Sequence, residues 1–198
     1  MMRGVGVGIR VSDLIGRTDN GGFSSMAVLS DYARKKKIEY FLRAIPKESR
    51  VLEIGCGEGW VGAYLRSQGC AGYVGMDLEP PADVVGDIRD WRRLGIEPES
   101  FDVIVAFELV EHVDCFREMH DILKPGGLLM LTSPAPNMDW FCQVLEALHL
   151  TQRRTSPHDH LVWFTEAPLF EIVKLKRVGL AAQWGVFRKA PARLTGAE

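Results

Sequence analysis

The chain has 198 residues, 46% hydrophobic and 25% charged, with 24 basic against 26 acidic side chains and a formal net charge of -2. These are the proportions of one globular domain able to bury a sizeable core; they exclude global disorder and give no electrostatic footprint for duplex nucleic acid or a membrane surface. Cys56, Cys70, Cys115 and Cys142 lie far apart with no C-x-x-C pair, so zinc spacing is absent and a reduced, cytoplasmic chain is expected; no apolar run approaches membrane-spanning length.

Residues 1–29 are rich in Gly, Ser and Asp and contain Thr18-Asp-Asn-Gly-Gly22, which predicts a flexible arm before a single domain over 30–198. Ser30 or Asp31 can cap a helix running to Ile45, whose Ile38, Phe41, Leu42 and Ile45 share one face. Its Arg34-Lys-Lys-Lys37 run reads either as a contact for an anionic substrate or as a solvated face.

Val51 to Ile54 reads as a short buried strand, and Gly55, Gly57 and Gly59 then turn the chain into a helix whose buried stripe is Trp60, Val61, Tyr64 and Leu65. Strand, glycine turn and helix make a small-molecule cradle: glycine admits positive φ and close approach of a ligand to the backbone, and the NH groups at the helix start face that ligand. Gly57, Gly59 and Gly62 also spell G-x-G-x-x-G. In a dinucleotide fold, however, the first glycine follows the strand directly, which is Gly55, and the third position is then Trp60, where an indole blocks the close helix–sheet packing required.

Further strands are predicted at Tyr73–Met76, Val84–Val85, Phe101–Phe107 and Leu128–Leu131, with a helix carrying Val113, Phe116, Met119 and Ile122 between the last two. Alternating strands and helices imply a parallel sheet with right-handed crossovers and a ligand crevice beyond the strands' carboxyl ends. Asp77, at the end of the second strand, is placed to give two acceptor oxygens to the vicinal hydroxyls of a ribose. A helix over Trp140–Leu148 and the polar loop Thr151–His160 follow; Thr165 can cap a last helix with Leu169, Ile172 and Val173 inward, and Ala181–Phe187 reads as a final strand.

The set Val51-Leu-Glu-Ile-Gly-Cys-Gly-Glu-Gly59, Gly75-Met-Asp77, Gly86-Asp-Ile88, Phe101-Asp-Val-Ile-Val-Ala-Phe-Glu-Leu-Val-Glu-His112 and Leu123-Lys-Pro-Gly-Gly127, in this order, resembles the class I S-adenosylmethionine-dependent methyltransferases, above all the stand-alone domain often called type 11. The resemblance covers residues 30–187. It implies a Rossmann-like three-layer αβα sandwich with a mostly parallel α/β sheet, S-adenosylmethionine as cofactor with S-adenosylhomocysteine as product, and a small-molecule acceptor set by the arm and the variable segment 134–165. By position, Glu53 and Gly55 would hold the cofactor's methionine end, and Gly57 and Gly59 would let the backbone pass beneath it. Asp77 would take the ribose hydroxyls with Leu78 on one adenine face, Asp87 and the Ile88 NH would meet the adenine, and the Phe107 backbone would flank the reactive end.

A hydroxyl acceptor also needs a base, and His112, His158 and His160 are the candidates. In this family the Glu-His pair that includes His112 is mostly structural, and histidines in an exposed loop are commonly solvated. His158-Asp-His160 has no evident third metal ligand. The family usually closes its sheet with an antiparallel hairpin. Pro191 and the short remainder after Phe187 argue against a full last strand, which leaves the sheet one strand short or its edge covered by a second copy in a homodimer. Rival readings are a nicotinamide-dependent oxidoreductase and a cofactor-binding but inactive partner subunit.

Overall fold

A computed structural model of the chain describes residues 21–136, 163–166, 169–179 and 182–190, with the side chains of 21–29 left aside. Helix α1 (Gly21–Tyr40) leads into strand β1 (Val51–Ile54), helix α2 (Trp60–Ser67), strands β2 (Tyr73–Asp77), β3 (Val84–Val85) and β4 (Phe101–Phe107), helix α3 (Phe116–Ile122), and strands β5 (Leu123–Pro134), β6 (Phe170–Val178) and β7 (Ala182–Lys189). The strands form one sheet in the order β3-β2-β1-β4-β5-β7-β6. The first five run parallel; β7 is antiparallel to both of its neighbours, β5 and β6.

Side chains alternate across each strand, which gives the sheet two apolar faces. Leu52, Ile54, Ile104, Leu129 and Phe187 point to one, where Trp91, Phe116, Met119 and Phe164 cover them. Val51, Val103, Val105, Met130 and Trp184 point to the other, beneath Phe41, Leu42, Val61 and Leu65. The result is the expected three-layer α/β sandwich.

Three expectations change. Residues 21–29, assigned to the arm, are the first turns of α1, so Ser30 and Asp31 lie inside a helix rather than at its cap; residues 1–20 lie outside the described residues. The α-helix stops at Tyr40 and not Ile45, and a 3-10 turn over Leu42–Ala44 carries the chain on; Pro46 drives the residue before it out of helical dihedrals, so Ile45 is extended, with ψ 121°. The helix expected after Thr165 is strand β6. Leu169, Ile172 and Val173 have helical spacing, but from Lys174 onward the alternation is that of a strand, with Lys174 and Lys176 turned to the Tyr40 ring and a bulge between Ile172 and Lys174 absorbing the mismatch.

The sheet is therefore not one strand short. The antiparallel strand is β7, inserted between β5 and β6 and running to Lys189, beyond the expected end at Phe187. Its end is fixed by Lys189, a buried ammonium that donates to Glu99 Oε1 (3.0 Å) and to the carbonyls of His120 and Leu123 (2.9 Å each). The edge that suggested a homodimer is filled by the chain itself.

Candidate functional site

The site is built where β1 and β2 end. Gly55, Gly57 and Gly59 all have left-handed φ (77°, 48° and 73°), which bends the chain from β1 into α2. A Cβ at Gly57 or Gly59 would meet nothing within 4 Å, so dihedral freedom rather than space requires glycine there. The Gly55 and Cys56 NH groups both donate to the Met76 carbonyl (2.8 and 3.0 Å), tying the turn to β2. Asp77 completes the tie: Oδ2 accepts from Gly57 N (2.8 Å) and Oδ1 from Leu78 N (2.7 Å). Two of its lone pairs fix the carboxylate, and one on each oxygen is left for a ligand.

In front of this turn lies a cavity of about 580 Å³, lined among others by Gly55, Asp77, Leu78, Asp87, Ile88 and His112. Six residues from four sequence motifs thus meet in one place. Leu78 is 68% exposed at the mouth, an apolar side chain with a free face. Asp87 caps the turn Ile88–Asp90, accepting from Arg89 N (2.9 Å), and its carboxylate also takes the Arg89 guanidinium through Nε (3.0 Å to either oxygen) and Nη2. The Arg89 side chain holds that carboxyl below the usual carboxylate range.

Glu53, Gly57, Gly59 and Phe107 lie around this cavity rather than in its lining. Alternation explains Glu53: it shares a strand face with Val51, so its side chain points to the α2 side, opposite Ile54. There it is 3% exposed and its Oε2 accepts a hydrogen bond from the Tyr73 hydroxyl. Burial pushes its pKa up to about 7, the Tyr73 bond opposes that, and the negative charge of Asp77 adds to it. The Phe107 ring stacks at 6.1 Å on Trp60 and meets Phe41 at 5.0 Å, beneath α1. His158 and His160 lie outside the described residues, as does most of the 134–165 segment.

Glu108 lies, as its place after the fourth strand leads one to expect, at the carboxyl end of β4, but the polar cluster around it joins residues that no sequence motif links. Lys37 donates to Glu108 Oε2 (2.6 Å), Thr132 Oγ1 donates to Glu108 Oε1 (2.9 Å), and Glu108 itself has a left-handed φ of 50°. Beside it Glu111 is 1% exposed, its Oε2 has no hydrogen-bond partner among the described residues, and burial pushes its pKa up to about 7. The signal in the sequence was an acidic residue inside an otherwise apolar run. In the Arg34–Lys37 stretch Arg34 pairs with Glu58 (3.3 Å) and Lys36 with Glu39 (2.8 Å) on a solvated face, whereas Lys37, whose side chain is 13% exposed, is drawn in to Glu108. Among the described residues no three His, Cys, Asp or Glu side chains group as a metal site.

A family model described as a methyltransferase domain matches residues 29–181. The chain belongs to the class I S-adenosylmethionine-dependent methyltransferases. Among curated proteins, the methyltransferase is 30% identical over 150 residues to the ubiquinone biosynthesis O-methyltransferase of Ruegeria pomeroyi, covering 66% of this chain and 59% of that one. It is 32% identical over 102 residues to the protein of the same name in Pseudomonas aeruginosa, covering 42% and 44%. The chain thus spans about half the length of these relatives. Among solved structures, a geranyl diphosphate methyltransferase in complex with SAM superposes with a TM-score of 0.61 at 13% identity, covering 93% of this chain and 97% of that one. The PH0226 protein of Pyrococcus horikoshii superposes with a TM-score of 0.57 at 18% identity, covering 80% and 90%. At such identities the likeness is one of fold.

The methyltransferase's own residues fit the family's cofactor. The cavity has the volume of a small-molecule site. A Cβ on Gly55 would come to 3.4 Å from Leu109 Cδ1, narrowing the wall where the backbone borders the cavity. Asp77 offers two oriented acceptors, and Leu78 and Ile88 offer apolar surface for a ring.

Proposed function

We propose that this chain transfers a methyl group from S-adenosylmethionine to a small-molecule acceptor, and that the acceptor atom is a hydroxyl oxygen. The carrying observation is the convergence of Gly55 at the head of the glycine turn, Asp77, Leu78, Asp87 and Ile88 on one cavity at the strands' carboxyl ends. The name of the curated relatives, O-methyltransferase, supports the choice of oxygen.

Asp77 holds the ribose hydroxyls, Leu78 covers one adenine face, and Asp87 with the Ile88 NH meets the adenine edge. Glu53 and the backbone of Gly55, Gly57 and Gly59 receive the methionine end, and the Phe107 backbone borders the reactive end. When bound, the cofactor supplies a methyl group on a sulfonium, so attack neutralises a cation and the chain builds no site for new negative charge. Its work is to align the nucleophile and keep water out. For the acceptor proton, His112 at the cavity wall is the described candidate; His158 and His160, outside the described residues, are the other two that the sequence offers.

No helix among the described residues is long and apolar enough to cross a membrane. Cys56, Cys70 and Cys115 are free and buried, in keeping with the cytoplasmic placement that belongs to this proposal. The family assignment speaks against the oxidoreductase reading, and the paired β7 and β6 remove the missing strand that favoured an inactive subunit. The test is transfer of a radiolabelled methyl group from S-adenosylmethionine into a cell extract, with identification of the labelled species. Labelling of an O-methylated small molecule supports the proposal; label on protein, on nucleic acid or nowhere rejects it.

A further inference from the structure

One glycine of the sequence pattern has no part in the turn. Gly62, the last of Gly57-x-Gly59-x-x-Gly62, sits in α2, where an added Cβ would lie 2.5 Å from the Tyr73 ring; one on Gly75 would lie 2.9 Å from the Tyr73 hydroxyl oxygen. The two glycines cut a notch between helix and sheet, and the Tyr73 ring fills it. Parallel pairing places Val51 beside Tyr73 and Glu53 beside Gly75, so Tyr73 and Glu53 are diagonal neighbours on one sheet face. The hydroxyl thereby reaches Glu53 Oε2 from below the glycine turn. Both residues are buried, and among the described residues Glu53 Oε1 makes no hydrogen bond.

A buried tyrosine threaded between two glycines to reach a single carboxylate oxygen is more than a core filler requires. We propose that Tyr73 is a positioning residue for the cofactor: its hydroxyl fixes the Glu53 carboxyl so that Oε1 receives the ammonium of the methionine end, and formation of that pair releases the Glu53 proton to solvent. This rests on the cofactor reading above. The balance is simple: a neutral carboxyl and an ammonium become a carboxylate–ammonium pair and one solvated proton.

The surrounding charges agree. Glu53 is faced by Tyr73 and Asp77 of β2, by Cys56 of the turn, and more distantly by Arg66 of α2, whose guanidinium lies 4.7 Å from the Tyr73 ring centroid and pairs with Asp83 (2.9 Å). Burial and the Asp77 charge keep Glu53 protonated up to about pH 7, and an incoming cation reverses that preference.

The test is calorimetry of S-adenosylhomocysteine binding, which carries the same ammonium, in buffers of different ionisation heat. The wild type should release close to one proton at about pH 6 and almost none at about pH 8. Tyr73→Phe removes a bond that favours the ionised carboxylate, so the midpoint should rise by about one pH unit, with affinity about tenfold weaker below about pH 6, about fivefold weaker near pH 7 and converging on wild type at higher pH. Glu53→Gln should release no proton at any pH, and the wild type should release none with an analogue lacking the amino group. The last two measurements stand even if Tyr73→Phe does not fold. Wild-type binding without proton release, or an affinity loss in Tyr73→Phe that is uniform across pH, overturns the inference alone. No binding of the cofactor at any pH overturns the cofactor reading with it.

Discussion

Lys37 Nζ stands 2.6 Å from Glu108 Oε2 and 5.0 Å from the centroid of the Phe107 ring, so one ammonium joins α1 to both residues at the carboxyl end of β4. Arg34, one turn earlier, does the same for the glycine turn, pairing with Glu58 and lying 5.9 Å over the Trp60 ring. The basic run thereby fixes α1 beside Phe107, whose backbone the proposal above sets at the reactive end. Glu108 is held in place by Thr132 and keeps a left-handed backbone that a non-glycine residue adopts only under constraint.

Lys37→Met is expected to loosen this contact without unfolding the protein. The Glu108 side chain is 51% exposed, so the ion pair contributes about 1 kcal/mol or less. Global stability should change little. Amide exchange in the last turns of α1 should rise, and the acceptor KM should increase while S-adenosylhomocysteine affinity stays near wild type.

Asp77→Asn tests the ribose site. Both carboxylate oxygens accept backbone NH groups, from Gly57 and Leu78, and an amide can accept on one side only. One NH loses its acceptor and one ribose hydroxyl its partner, which together cost about 1.5–3 kcal/mol. Titration calorimetry should show S-adenosylhomocysteine binding weakened by about 10- to 100-fold. An unchanged affinity would remove Asp77 from the site.

Gly62→Ala is expected to destabilise the fold by about 1–3 kcal/mol, because its Cβ would sit 2.5 Å from the Tyr73 ring in a packed layer. Combined with Tyr73→Val, which empties that space, the two changes should be strongly non-additive in urea denaturation. Additive losses would mean that the helix, and not the ring, requires glycine.

These sites differ in how far the sequence displays them. Val51–Ile54 and Phe101–Phe107 are legible as covered strands, and Gly55 to Gly59 as the turn from β1 into α2, because each signal lies within a few residues of chain. The edge strand Phe170–Val178 is not legible: its bulge interrupts the period-two alternation, and Leu169, Ile172 and Val173 then imitate a helical stripe. Gly21 and Gly22 open α1 although glycine ordinarily reads as a breaker. The contacts between Lys37 and Glu108, 71 positions apart, and between Glu53 and Tyr73 exist only once the sheet has formed. No local pattern announces them.

Glu111 gives the chain a pH-dependent stability of unusual sign. Its carboxyl is buried, with Oε2 unpartnered among the described residues, and burial raises its pKa from 4.5 in the unfolded chain to about 7. The folded state then holds the proton more tightly than the unfolded one, so this stabilisation is present below about pH 4.5, is lost as pH rises toward 7, and stays absent above it. Glu53 contributes in the same sense. His120, whose pKa burial lowers from 6.5, contributes in the opposite sense over an overlapping range, so the decisive quantity is the difference between variant and wild type. Glu111→Gln keeps the shape and carries no charge at any pH. It should match or trail the wild type near pH 5 and exceed it at pH 8 by on the order of 1–3 kcal/mol, measured by urea denaturation at both values. A difference that stays constant with pH would mean that Glu111 is already ionised in the folded protein and has found a partner for its second oxygen.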